Sequence, residues 1–301
     1  MRYFLPLIGV LALGAPACAG ETSEVPAPHG DDSATTAEAI ALESAMTKDA
    51  PVKNGYFAVG NEERVQPIAY SVVGDLAVFE GDIILGHVSE VEAVSEGAAA
   101  KRGSGDVAPL GVGLPAGRRR WAKKTVAYTI DSGLPNQARV TSAIQHWRDK
   151  TDIEFVQRTS ANASSYPDYV TFVKGSGCSS AVGRSGGKQV INLADGCSTG
   201  AAIHEIGHAV GLWHEQSRED RDTYVTIKWE NIEAGMEHNF DRHVSDGDDL
   251  GAYDFNSIMH YGKTAFSKNG QPTIVTKNGQ AIGQRTGLST GDLNAVKILY
   301  P

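Results

Sequence analysis

Apolar and polar positions divide the chain into three stretches of different character. Residues 3–13 are an apolar run interrupted only by Pro6 and Gly9. Between 20 and 120 the apolar positions, many of them alanine, form only short patterned pieces. Residues 20–50, rich in Ala, Thr, Ser, Glu and Pro, read as an exposed tail. Residues 68–73 and 83–88 read as strand pieces, and the Gly/Ala/Pro-rich 95–120 as a linker. From Trp121 the pattern becomes that of a packed domain. Alternation predicts strands at 125–130, 153–157, 169–174 and 188–193. Residues 136–150 carry Val140, Ile144 and Trp147 on one helical stripe, and Ser198 or Thr199 can cap a helix that runs to about Val210. Residues 229–240 read as helical, and 293–299 as a short closing helix with Ser289 or Thr290 near its start. Strands and helices in this order predict an α+β class.

Charge and cysteine usage add organisation to this pattern. Residues 20–117 hold 16 acidic and 5 basic side chains, whereas 118–301 hold 21 basic and 20 acidic, within a net charge of −9. The charge balance therefore changes close to where packing begins. There is no basic patch with interleaved aromatics, so nucleic acid is not an expected partner. Past the first residues no apolar run is long enough to span a bilayer, so no transmembrane segment is expected. Met1-Arg2, the apolar run and the small residues Ala15-Pro16-Ala17 have the three-part form of an export signal over 1–19. Secretion is the expectation, with lipid anchoring at Cys18 as the alternative. Cys178 and Cys197 then remain as an even pair, able to bridge in an oxidising compartment or to stay as buried thiols. Lys101-Arg102 and Arg118-Arg119-Arg120 offer cutting points to a trypsin-like protease.

The chemistry is concentrated in one stretch, from His204 to His214. Residues four apart share a helix face, so His204 and His208 can aim their imidazoles at one point, with Glu205 beside them. Gly211 can take φ > 0 and end the helix sharply, bringing His214 back as a third nitrogen ligand. Three neutral histidines leave zinc an open position for water, which marks a catalytic rather than a closed structural site. Glu205 is placed to act as general base on that water. A silent, peptide-binding relative of such an enzyme would have lost Glu205 or a histidine, and all are present.

Several further segments carry a family likeness. They are Glu215 directly after the third histidine, Gln216-Ser217-Arg218-Glu219-Asp220-Arg221-Asp222 with Tyr224-Val225, Trp229-Glu230-Asn231-Ile232, and Ser257-Ile258-Met259-His260-Tyr261-Gly262. Over about residues 118–301 the chain resembles the astacin metallopeptidases of the metzincin clan. The resemblance implies a zincin fold, with a twisted, mainly antiparallel-edged sheet, the active-site helix in an N-terminal lobe and an irregular C-terminal lobe. It implies one catalytic zinc ion on His204, His208 and His214, and Glu205 as general base and acid. Tyr261 would be a further ligand that swings away to hydrogen-bond the oxyanion, and Met259 an apolar floor. Glu215 would be the partner of the mature N-terminal ammonium, Cys178–Cys197 the disulfide, and the strand 188–193 the edge on which substrate adds. The chain departs from the family in having no cysteines for a second bridge.

Upstream, Phe79-Glu80-Gly81-Asp82-Ile83 resembles the propeptide motif of the same family, which implies Asp82 as the ligand that blocks zinc in a latent form. The expected organisation is a signal at 1–19, propeptide and activation linker at 20–112 (boundary within 102–120), and a catalytic domain at 113–301. The cut is expected among 103–113, because a cut after Arg120 would leave too little chain to reach Glu215. Expected partners are protein or peptide substrates and the chain's own propeptide as inhibitor, with the enzyme a monomer. The family leans towards acidic residues after the scissile bond, for which Arg218 and Lys263 are candidate cations.

Overall fold

The computed structural model describes residues 46–59, 64–102, 120–243 and 249–301, all within one compact unit spanning 32–301. The expected signal, Cys18 and the cleavage segment 103–113 lie outside the described residues.

The leading part is a four-stranded antiparallel meander of β1 (Val52–Val59), β2 (Arg64–Val73), β3 (Leu76–Phe79) and β4 (Ile83–His87). A helix, α1 (Val88–Arg102), follows directly. Its start is fixed by Glu90, whose carboxylate accepts from the His87 amide at 2.8 Å. Val91 packs with Ile68, Tyr70, Phe79 and Ile83 in a small core. Expecting a linker from residue 95 was therefore wrong up to 102. The Gly/Ala composition that suggested a linker includes alanines, which favour a helix once β4 provides a start. The end of the supposed exposed tail is also covered, with Met46 and Thr47 buried.

The larger part begins with β5 (Thr125–Ile130) and α2 (Ala138–Lys150), followed by β6 (Glu154–Gln157), β7 (Tyr169–Val173), β8 (Cys178–Ser180), β9 (Lys188–Leu193) and α3 (Thr199–Val210). Strands β6, β5, β7 and β9 run parallel, and β8 joins β9 antiparallel. A single parallel pair, Ile83 with Ser180, then makes one nine-stranded sheet in the order β1-β2-β3-β4-β8-β9-β7-β5-β6. The strand 188–193 is thus interior, flanked by β7 and β8. Without the single pair to β4, β8 would be the edge of the larger part's strands. The main core fills the space between α2, α3 and the sheet, with Trp147, Ile144, Phe172, Ile191 and Ile206 fully buried.

The C-terminal region is irregular apart from a two-stranded ladder, β10 (Val225–Ile227) with β11 (Ile274–Thr276), and α4 (Thr290–Leu299). The helix expected at 229–240 is instead two 3-10 turns, Trp229–Asn231 and Glu237–Phe240. Ile232, Met236 and Phe240 are all buried, and their spacing of four imitates a helical stripe. Gly235 interrupts it at φ 89°, and Ile232 bridges to Ser267. With no second disulfide available, polar contacts tie both ends of the larger part to α3. The Tyr300 hydroxyl donates to Val210 O at 2.8 Å, and Trp121 Nε1 donates to Ala209 O at 2.7 Å.

Candidate metal centre

Helix α3 is capped by Ser198, whose hydroxyl accepts from the Ala201 amide, and every residue from 200 to 210 is buried. A helix enclosed all round needs close neighbours, and Gly207 provides room for one. A Cβ there would lie 2.7 Å from Met259 Sδ, so the glycine lets the thioether seat directly against the helix. Gly211 ends the helix at φ 122°, as its position suggested, and the chain turns back to present His214.

His204, His208 and His214 are fully or almost fully buried, and with Asp82 they bring ligand atoms within 4.8 Å of one another. Each imidazole is oriented through Nδ1. His204 donates to Ile258 O at 2.8 Å, His208 to Leu212 O at 2.8 Å and His214 to Glu80 Oε2 at 2.7 Å. A neutral ring committed in this way has only a lone pair at Nε2. The three Nε2 atoms face Asp82 carboxylate oxygens at 3.2, 3.6 and 3.2 Å respectively. Acceptor against acceptor in a buried site is unfavourable unless a cation lies among them. The buried Asp82 Oδ1, His208 Nε2 and His214 Nε2 accordingly have no hydrogen-bond partner among the described residues. Three nitrogens and a carboxylate are a donor set suited to one zinc ion, and the residues fit it.

Electrostatics follow the same geometry. Burial pushes His208 down to about 4, which keeps it neutral. Burial would raise Asp82, but the charge of His214 beside it and the facing histidine nitrogens hold it well below the carboxylate range. For His214 burial is likewise outweighed, by Asp82 and Glu80, and the ring rises to about 9, so that without a metal ion a proton takes the cation's place at its Nε2.

The remaining predicted residues divide clearly. Glu205 is fully buried, next to His204 on α3. The Tyr261 ring lies 4.6 Å from that of His214, and its hydroxyl donates to Glu80 O at 2.6 Å, so it stands at the site turned towards the leading segment. Cys178 and Cys197 form a disulfide. Glu215 accepts from the Asp254 amide at 2.7 Å and lies 3.7 Å from Arg218 Nε. Burial raises its pKa to about 8, opposed only in part by Asp254 N–H and Arg218. It borders a cavity of about 160 Å³ that Arg120, Trp213, Leu250 and Leu299 also line. Arg218 is not a cleft cation, because it is buried and forked onto Asp220 with two bonds of 2.9 Å. Lys263 is exposed.

Three contributors were not singled out in the sequence. Glu80 was quoted only as a neighbour of Asp82, although a second acid amid Phe79, Gly81 and Ile83 was a usable signal. Asp292 binds Ser257 Oγ at 2.6 Å and the Ile258 amide at 3.0 Å, fixing the turn whose carbonyl orients His204. His243, in a loop without pattern, gave no signal.

Comparison with known proteins is consistent with this geometry. The profile described as Astacin (Peptidase family M12A) matches residues 114–301. "Zinc metalloproteinase nas-13" of Caenorhabditis elegans is 46% identical over 188 residues, covering 60% of this chain and 41% of that protein. "Meprin A subunit beta" of Homo sapiens is 41% identical over 190 residues, covering 60% of this chain and 26% of that one. The chain thus matches well under half the length of these curated relatives. Among solved structures, the hatching enzyme zinc-protease High choriolytic enzyme 1 of Oryzias latipes aligns with a TM-score of 0.55 and 36% identity, covering 62% of this chain and 94% of that one.

Proposed function

Since this chain belongs to the astacin family of metallopeptidases, we propose that it is a zinc-dependent endopeptidase made as a secreted zymogen. The observation that carries this reading is the buried convergence of His204, His208 and His214 Nε2 lone pairs on Asp82. When bound among those nitrogens, zinc acidifies a water and polarises a substrate carbonyl. Glu205 takes the proton of the attacking water and delivers it to the leaving amine. Tyr261, once freed from Glu80, turns its hydroxyl to the oxyanion. A peptide adds to the edge of β8, so that backbone hydrogen bonds align its scissile bond beside the three histidines.

Residues 20–112 act as propeptide and linker, and 113–301 as the catalytic domain. The propeptide blocks the site physically, with Asp82 at the position the water needs and β4 on the β8 edge, where Ser180 N donates to Asp82 O at 2.9 Å. Cutting among 103–113 gives a new N-terminus that enters the cavity beside Glu215, and its ammonium relieves the cost of that buried carboxylate. The test is cleavage of an unfolded protein by processed wild type and Glu205→Ala, each with and without a zinc chelator. Cleavage only by the unchelated wild type is expected, whereas cleavage surviving either treatment would remove the reading.

A further inference from the structure

The Asp82 carboxylate faces only the histidines of the metal site, yet the structure shows a second buried carboxylate two residues away. Glu80 is fully buried. Its Oε2 accepts from His214 Nδ1 at 2.7 Å, and its Oε1 from Ser217 Oγ at 2.5 Å and His243 Nε2 at 2.9 Å. Its carbonyl accepts from Tyr261 at 2.6 Å. All four donors belong to the region after residue 120. The socket is built rather than incidental, since the His243 amide donates to Ser217 O at 2.7 Å and so locks two of its donors together. Phe79 closes it from the prosegment side, edge-on to His243 at 5.6 Å and to Trp213 at 6.3 Å. Glu80 also sits at φ 44°, a left-handed conformation disfavoured for a side chain with a Cβ, and its four bonds offset that cost.

We propose that Glu80 is a second, metal-independent anchor, whose socket keeps the prosegment bound after the linker is cut. This rests on the reading of the leading segment as an inhibitory propeptide. Asp82 closes the metal site, while Glu80 retains the segment whether or not the ion is present. Cleavage and release are then separate events, and the cut prosegment is a non-covalent partner of the catalytic domain.

The test uses the full chain with a specific protease site inserted among 103–117. After cutting, co-elution of the two pieces on gel filtration is followed with zinc bound and after chelation, for wild type, Glu80→Gln and Asp82→Asn. Wild type and Asp82→Asn should remain associated under both conditions. Glu80→Gln should stay together with zinc but bind at least about tenfold more weakly after chelation, as expected for losing charge-assisted hydrogen bonds. His243→Phe, which removes a donor from the other side of the socket, should reproduce that loss and guards against a folding defect in Glu80→Gln. Wild-type pieces that separate on chelation, or Glu80→Gln and His243→Phe pieces that stay together as wild type does, would overturn the anchor. Full peptidase activity of the cut, still-associated wild type would instead refute the inhibitory reading, leaving the anchor to be judged by co-elution.

Discussion

Glu205 and Glu215 each directly follow a histidine of the site, His204 and His214, and different measurements test them. Glu205→Gln keeps a side chain of similar shape on α3 but cannot accept a proton. Such a variant should bind one zinc per chain, measured by atomic emission, while peptide cleavage falls by about a thousandfold. Loss of zinc in this variant would make Glu205 a structural residue. Glu215 has a folded-state pKa of about 8, above its ordinary value of 4.5. Between those values the folded chain holds a proton that the unfolded chain has lost, so stability falls as pH rises. In the uncut chain, Glu215→Gln should raise the melting temperature by several degrees near about pH 8 and leave it unchanged near about pH 4. A melting temperature lowered near about pH 8 would show that its carboxylate is already paired in the latent form, and equal shifts at both pH values would contradict the raised pKa.

At the scale of elements, the histidine set depends on a relay. Asp292 completes a capping box with Ser289 at the start of α4, and its carboxylate reaches Ser257 and Ile258. Ile258 O in turn fixes the His204 ring. Asp292→Ala should therefore weaken zinc binding about 10- to 100-fold, read by competition with a chromophoric chelator, although Asp292 never touches the ion. Unchanged affinity would mean that α3 packing alone orients His204. The histidine spacing, Gly211, the Met259 turn and most strands were legible because each leaves a local pattern. The edge strand was misassigned because periodicity shows that 188–193 is a strand but not which strands flank it. Residues 229–240 looked helical because Ile232, Met236 and Phe240 share a spacing with helices while Gly235 breaks the backbone. Glu80 and His243 meet across 163 residues of chain, a contact that no local pattern encodes.

For the whole molecule, the sheet gives the proposed latency and catalysis one surface. The meander β1–β4 extends the sheet through β8, the strand on which we propose that substrate adds, and the turn between β3 and β4 delivers Asp82 to the histidines. The disulfide Cys178–Cys197 closes a 19-residue separation just before α3 and adds about 3 kcal/mol by restricting the unfolded chain. The most direct measurement is a titration of metal-free, processed protein with zinc while cleavage of an unfolded substrate is followed. Activity should be absent without zinc, rise linearly and saturate at one ion per chain. Cleavage by the metal-free protein, or zinc binding at one ion per chain without any cleavage, would contradict a catalytic zinc on His204, His208 and His214.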